Sequence, residues 1–563
     1  MKITAPLFIL SSLFCIVMLN CCKPRDIDLP SEKGIVFRVV GIEEDSSAEL
    51  MGSNRERNTE NLNKFPIHRE LHNIEGMDID LMIEESAEKN IALTKAVSSK
   101  PFGEFNWYII MLFEADGNGN AVSFHLLSTS TGNGPTIPFP AYRNRQYRWF
   151  AYSYNSSTYL RQPTVESPIL DVNSAAAEDG SDFLYATGVI TTSNDPNAPN
   201  VASITFKRMV SAIRFEIDAR GAFSSIKNLR VDFPASSNGF KNGKFSLRNG
   251  VFTETNAEEP FSRPTWLDHI ADTIPTGWVK YQQLLTVPNG EPMNFQAILK
   301  SLTLTSQTIT PNNPTALTFA DRDYGIPTAG IPLNFPAFTP VAGKRYTIKL
   351  RLKESTLLVG GTNWARGNLT YVANSPKNKY RFWYDNNFIK NVNGGMINFI
   401  ERDYFDTRPP IGEPQAEPRN WDPCALVYPE NTWRLPTAAE FTRLGELAES
   451  INRNRVDQEN NGGWYASWRS RPGVGTPRYK NNNFNLVAAG FRDRKTRELR
   501  RFNYRGFGTL SADEGFFKTS DTTQFFNIDY GGFAGIDFGM RVFTTHEGIG
   551  ANVRCVRRYP PFD

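Results

Sequence analysis

Residues 202–218 read ASITFKRMVSAIRFEID, with apolar side chains at every second position along most of the run. A period of two marks a β-strand with one buried face. Taken as one long strand, the stretch opens a β-sandwich. That sandwich continues through SIKNLRVDFP (225–234), GKFSLRNGVFT (243–253) and MNFQAILKSLTLTS (293–306), and closes at GKRYTIKLRLK (343–353). Upstream, NWYIIMLFEA (106–115) is a continuous apolar run, which fits a strand buried on both faces. The Gly/Asn cluster DGNGN (116–120) then turns the chain into AVSFHLL (121–127), and QYRWFAYSYN (146–155) alternates again. Together with MDIDLMI (77–83), these strands predict a first sandwich over 65–200 and a second over 201–354. Residues 23–64 are mostly polar and charged and read as a linker or propeptide without a core of its own. One strand-like piece, IVFRVVGI (35–42), interrupts it.

A helical period first emerges in TAAEFTRLGELAES (437–450), where Phe441, Leu444, Leu447 and Ala448 share a face. Pro436 breaks the chain before it, and Thr437 with Glu440 three residues on forms a capping box. Residues 355–563 therefore read as a third, α+β domain. The predicted fold is mainly β: two β-sandwiches followed by that domain, within the three or four domains expected of 563 residues.

At the N-terminus, Lys2 precedes the apolar run Ala5–Leu19, which is too short to span a ~30 Å hydrocarbon core comfortably. A short apolar stretch behind a basic start is a secretory signal peptide, here 1–22. Leu19 to Cys22 fits the Leu-x-x-Cys pattern of bacterial lipoproteins, so Cys22 is the expected lipidation site, with Cys21 as the alternative. The expected location is therefore the cell surface, anchored to the outer membrane. Of five cysteines, only Cys424 and Cys555 lie in the body of the chain. In an exported protein without CxxC spacing, two cysteines point to one disulfide rather than a metal site. Closing a loop of about 130 residues contributes roughly 3–5 kcal/mol in the chain-entropy account.

A net charge of +3, with 21% charged residues, argues against a nucleic-acid partner, which would call for clustered Lys and Arg. Enzyme chemistry is thinly supplied, with five scattered histidines. His68 and His72 have zincin spacing, yet Arg69 stands where the general-base glutamate belongs and Glu70 falls one position late. Asp116, Asn118 and Asn120 imitate the opening of an EF-hand, but Ala121 replaces its glycine and Leu127 its bidentate glutamate. No nucleophile elbow, P-loop or dinucleotide fingerprint occurs. No catalytic residue, metal ligand or cofactor is expected.

The C-terminal series WARGNLTY (364–371), DPC (422–424), WRLPT (433–437) and VRCV (553–556) resembles the FISUMP family, which has a C-type-lectin-like fold. The resemblance implies that Trp433 and Arg434 anchor the helix start, and that Arg554 and Cys555 sit in the last strand. The calcium-ligand triplets of true lectins and the catalytic cysteines of sulfatase-modifying enzymes are not matched. The aromatics Trp464, Tyr465 and Trp468 could stack on sugars or serve the core. Residues 65–354 resemble the fimbrillin family of Bacteroidales through Thr94-Lys95-Ala96, the strand TFKRMVSAIRFEI and the closing start Gly343–Tyr346. That resemblance implies two transthyretin-like sandwiches, export as a lipoprotein, and assembly with other fimbrial subunits by strand addition. It also implies proteolysis after a basic residue: Lys95, or Arg55 or Arg57 in the linker, or Arg38 inside IVFRVVGI. The ending VRCVRRYPPFD, tied by Cys555, suggests a subunit that accepts a strand without donating one. The expected function is a non-enzymatic adhesive subunit at the fimbrial tip, serving adhesion and biofilm formation. The alternative is a surface glycan-binding outer-membrane lipoprotein that does not polymerise. The receptor on a host or bacterial surface is not specified by the sequence.

Overall fold

In a computed structural model the chain is mainly β. It describes residues 33–43, 68–74, 77–85 and, apart from short segments, 99–371. Beyond these it describes 379–382, 405, 422–446, 451–455, 464–469, 483–487, 491–493, 499–500, 514–521, 523–531, 537–544 and 549–558.

The first sheet runs β4 (Ser99–Lys100), β1 (Ile35–Glu43), β10 (Asn200–Arg208), β9 (Leu184–Thr191), β7 (Gln146–Ser153), β5 (Trp107–Ala115) and β6 (Ala121–Thr131). It is buried on both sides where the sequence is apolar throughout. Ile110 and Leu112 of β5 face a core with Trp149, Ile204 and Phe206. Ile109, Met111 and Phe113 face the opposite one. That second core is closed by a small sheet, β14 (Val251–Ala257), β13 (Lys241–Ser246) and β8 (Ile169–Val172), through Phe245, Leu170 and Val172.

The second sandwich pairs two larger sheets. One runs β16 (Leu267–Asp268), β17 (Val279–Thr286), β11 (Ser211–Gly221), β21 (Arg345–Glu354), β3 (Met77–Glu85) and β2 (His68–Ile74). The other runs β15 (Phe261–Ser262), β12 (Ser224–Phe233), β18 (Gln296–Thr310) and β19 (Asn313–Asp323), with β20 (Ile331–Asn334) also on β18. Ile79, Leu81, Ile213, Phe215, Ile348 and Leu350 meet Val231, Phe233, Leu299 and Leu304 between them.

Four segments sit elsewhere than the sequence suggests. GKFSLRNGVFT, read within the second sandwich, forms β13 and β14, which instead cover the first sheet through Phe245 and Leu247. The stretch 202–218 is two strands in two different sheets, broken at Met209–Val210. Its inward positions change parity there, from Ala202, Ile204 and Phe206 to Ile213, Phe215 and Ile217. A strand with period two cannot change parity without turning its other face to the core. IVFRVVGI, read within the linker, is β1 and lies parallel to β10, from Ile35 opposite Asn200 to Ile42 opposite Phe206. MDIDLMI, read within the first sandwich, is β3 and pairs antiparallel with β21 of the second. The N-terminal region thus supplies strands to both sandwiches: β1 to the first, β2 and β3 to the second.

Beyond residue 354, the strands Leu357–Val359, Thr362–Trp364, Val556–Arg557 and Trp433–Arg434 form one sheet. Helix α1 (Ala438–Glu446) lays Phe441 and Leu444 into a core with Trp364, Phe484 and Phe526. Its start is a reciprocal cap: Glu440 N donates to Thr437 Oγ1 at 3.2 Å and Thr437 N donates to Glu440 Oε2 at 2.8 Å. Arg434 forks onto the same carboxylate, at 2.8 and 2.6 Å, which ties the helix start to the strand before it.

Candidate functional site

β1 lies next to the edge of the first sheet, between β10 and the two-residue strand β4. On one side it pairs with β10; on the other it meets the two residues of β4, at Ile42–Lys100 and Glu43–Ser99, and Phe139, at Ile35. Parallel pairing is slightly weaker per residue than antiparallel pairing, and β1 also carries a bulge between Val39 and Gly41. Its hold is instead apolar. Ile35, Phe37 and Ile42 are buried in the core with Phe139, Trp149, Ala202, Ile204 and Phe206. Arg38 points outward from the middle of β1 and is exposed, opposite Ser203.

β3 is held differently. Its outward residues Asp78 and Asp80 are buried, and Asp80 pairs with Lys353 of β21 at 2.7 Å. Asp78 accepts from Arg557 of the C-terminal region, whose guanidinium also donates to the Glu354 carbonyl. The neighbouring row is a second joint. Asp218 of β11 is fully buried and accepts a two-pronged bond from Arg220, at 2.9 and 2.7 Å. The Tyr428 hydroxyl donates to the same carboxylate and accepts from Arg220 at 2.6 Å. Burial works to raise the Asp218 pKa, but the bonds and charge of Arg220, the Tyr428 hydroxyl and the charge of Arg351 outweigh it and hold it below the ordinary range. Phe223 and Trp278 of the second sandwich complete an apolar core with Phe382, Trp433, Val553 and Cys555. The C-terminal region and the second sandwich therefore share one interior.

Alternation assigns Asp78, Asp80, Asp218 and Arg220 to a solvent face, and no sequence signal announces that a further region covers it. Tyr428 and Arg557 lie in stretches whose periodicity says nothing of their partners.

Cys424 and Cys555 form a disulfide with Cα atoms 5.8 Å apart, and both are fully buried. Cys21, Cys22, Arg55, Arg57 and Lys95 lie outside the described residues. His68 and His72 lie on strand β2, opposite Leu81 and Ile79, so their spacing is not that of a helical metal motif. Asp116 accepts from the Asn118 and Asn120 backbone amides at 2.9 and 2.8 Å and closes the β5–β6 hairpin. Trp464, Tyr465 and Trp468 lie on a strand, Trp464–Arg469, paired on both sides.

Residues 117–364 match the model of the fimbrillin-like family. No curated protein matches the chain. Among solved structures it is similar to a candidate cell adhesion protein of Bacteroides fragilis, at 11% identity over 57% of this chain and 92% of that one, with a TM-score of 0.30. A fimbrial protein of Bacteroides vulgatus aligns at 10% identity over 44% and 91%, with a TM-score of 0.26. The fimbrial anchor protein of Porphyromonas gingivalis aligns at 13% over 38% and 74%, with a TM-score of 0.21. The family match, which spans under half of the chain, is consistent with a fimbrial or adhesive subunit.

Proposed function

We propose that the chain is an adhesive subunit carried at the tip of a surface fimbria, and that it joins its neighbour by exchanging β1 for the neighbour's strand. The observation that carries this reading is the parallel seating of an N-terminal strand, near the edge of the sheet, on β10 of a sheet whose strands β6, β7, β9 and β10 lie within the fimbrillin-like match. Removal of β1 uncovers the backbone edge of β10 and the apolar faces of Ala202, Ile204 and Phe206. An extended segment from another subunit replaces both, its backbone providing affinity and its alternate side chains register.

Processing fits best between β1 and β2, at Arg55 or Arg57. Cleavage at Arg38 falls inside a paired strand. Cleavage at Lys95 would also detach β3 and leave Arg557 and Lys353 buried without their carboxylates, a costly outcome. The segment Val553–Arg557 is held by the disulfide and by the Asp78 ion pair, so it is unavailable as a donor strand. That supports a position at the filament end, with the C-terminal, lectin-like region facing outward as the adhesive part. Before assembly the chain is held in the outer membrane by a lipid on Cys22.

Mass spectrometry of fimbriae sheared from cells and purified free of membrane tests this reading. The chain is expected in the filament fraction, beginning after residue 57 or 55, while the uncleaved form carries palmitate that Cys22→Ser removes. Recovery only from the outer membrane, uncleaved, contradicts fimbrial assembly and favours a glycan-binding lipoprotein.

A further inference from the structure

We infer that a single aromatic socket beneath β1 selects the incoming strand, and that the partner segment is an extended peptide with an aromatic residue at the central inward position. This deepens the strand-exchange reading and rests on it. The socket is what Phe37 now fills. Phe37 is 3% exposed, and its ring packs edge-on to Phe139 at 4.9 Å and to Trp149 at 5.8 Å.

The space for it comes from small residues on the neighbouring strands. Phe37 stands directly opposite Ala202 of β10, where a larger side chain would compete for the same volume. Trp149 stands opposite Gly188 of β9, and a Cβ there would come within 2.6 Å of the indole. Gly188 thus lets the indole settle over β9 as a wall of the socket.

Register is set at one end. The backbones of Ile35 and Phe139 exchange hydrogen bonds at 2.9 and 2.8 Å. Gly34, at φ +56°, passes so close that a Cβ would stand 2.3 Å from the Phe139 carbonyl oxygen. Asn200 Nδ2 donates to the Gly34 carbonyl at 3.0 Å. Any strand that runs as β1 does needs glycine at this entry, an aliphatic residue next, and the aromatic two residues on. The outward positions carry little selection: Arg38 is exposed and Val40 is 49% exposed.

The test uses the full chain with a specific protease site inserted between residues 44 and 54, cleaved in solution. It is then challenged with a labelled synthetic peptide of residues 34–43, GIVFRVVGIE. The peptide is expected to exchange into the nicked chain, the Phe37→Ala peptide at least about tenfold more weakly, and the Val40→Ala peptide within about twofold. In the nicked Ala202→Leu chain, where the socket is crowded, the preference for Phe37 over Ala is expected to shrink or reverse. Equal binding of the Phe37 and Phe37→Ala peptides overturns the socket while leaving strand exchange intact. Failure of every peptide to enter overturns strand exchange, and the socket with it. Because the first comparison changes only the peptide, it stands even where Ala202→Leu fails to fold.

Discussion

Asp218→Ala is expected to destabilise the protein by about 3–5 kcal/mol and to loosen the C-terminal region from the second sandwich. The carboxylate is fully buried and is the shared acceptor for Arg220 and Tyr428, with Arg351 a further cation 4.0 Å away. Removing it leaves two guanidinium groups and a buried hydroxyl facing one another. The Arg220 side chain is 17% exposed and regains some water, which places the effect toward the lower end of the range. The sign of the pH dependence follows from the depressed pKa. A carboxylate held below its unfolded value contributes its full stability above that value, about 3.9, and loses it as pH falls through the folded value. The stability gap between wild type and Asp218→Asn is therefore expected to stay constant from about pH 7 to 5 and to narrow below about pH 4. Urea unfolding across that range, with limited proteolysis of the C-terminal region as a second readout, measures it. A gap that widens in acid would contradict the joint as described.

Loss of the disulfide, by Cys424→Ala with Cys555→Ala, is expected to cost roughly 3–5 kcal/mol. The two residues are 131 apart in sequence, so the bond removes a long loop's freedom from the unfolded chain. It also joins the turn before α1 to the last described strand, in the core shared with Phe223 and Trp278. The loss should therefore reach the second sandwich as well as the C-terminal region. Thermal unfolding of wild type with and without reductant, compared with the double variant, checks this. Identical curves would remove the disulfide from the account.

The parts of the fold legible in the sequence are those whose signal is local. The β5–β6 hairpin announced itself through an apolar run and DGNGN, and α1 through Thr437, Glu440 and the Phe441–Leu444 face. What was not legible depends on which sheet a strand joins. IVFRVVGI and MDIDLMI have plain strand patterns, but pattern alone does not say that the first docks on Ala202–Phe206 and the second on Tyr346–Glu354. The stretch Ala202–Asp218 reads as one long alternating strand, and the parity change that marks the passage between sheets is easily missed in it. The ionic joints were hidden for a related reason. Alternation marks Asp78 and Asp218 as outward, and outward means solvent only when nothing else docks there. Phe37 is the one aromatic in β1, and its socket is built by Ala202 and Gly188, residues whose significance is the space they leave.

The central claim, that β1 must leave before assembly, is most directly tested by locking it in place. Arg38 and Ser203 are exposed register partners on β1 and β10, so Arg38→Cys with Ser203→Cys places two thiols side by side without entering the core. Measured by incorporation into fimbriae on intact cells, the locked chain is predicted to be processed and yet stay out of filaments, and mild reductant is predicted to restore its entry. Equal incorporation of the locked and unlocked chains, with the cross-link verified in the filament fraction, would contradict strand exchange at β1.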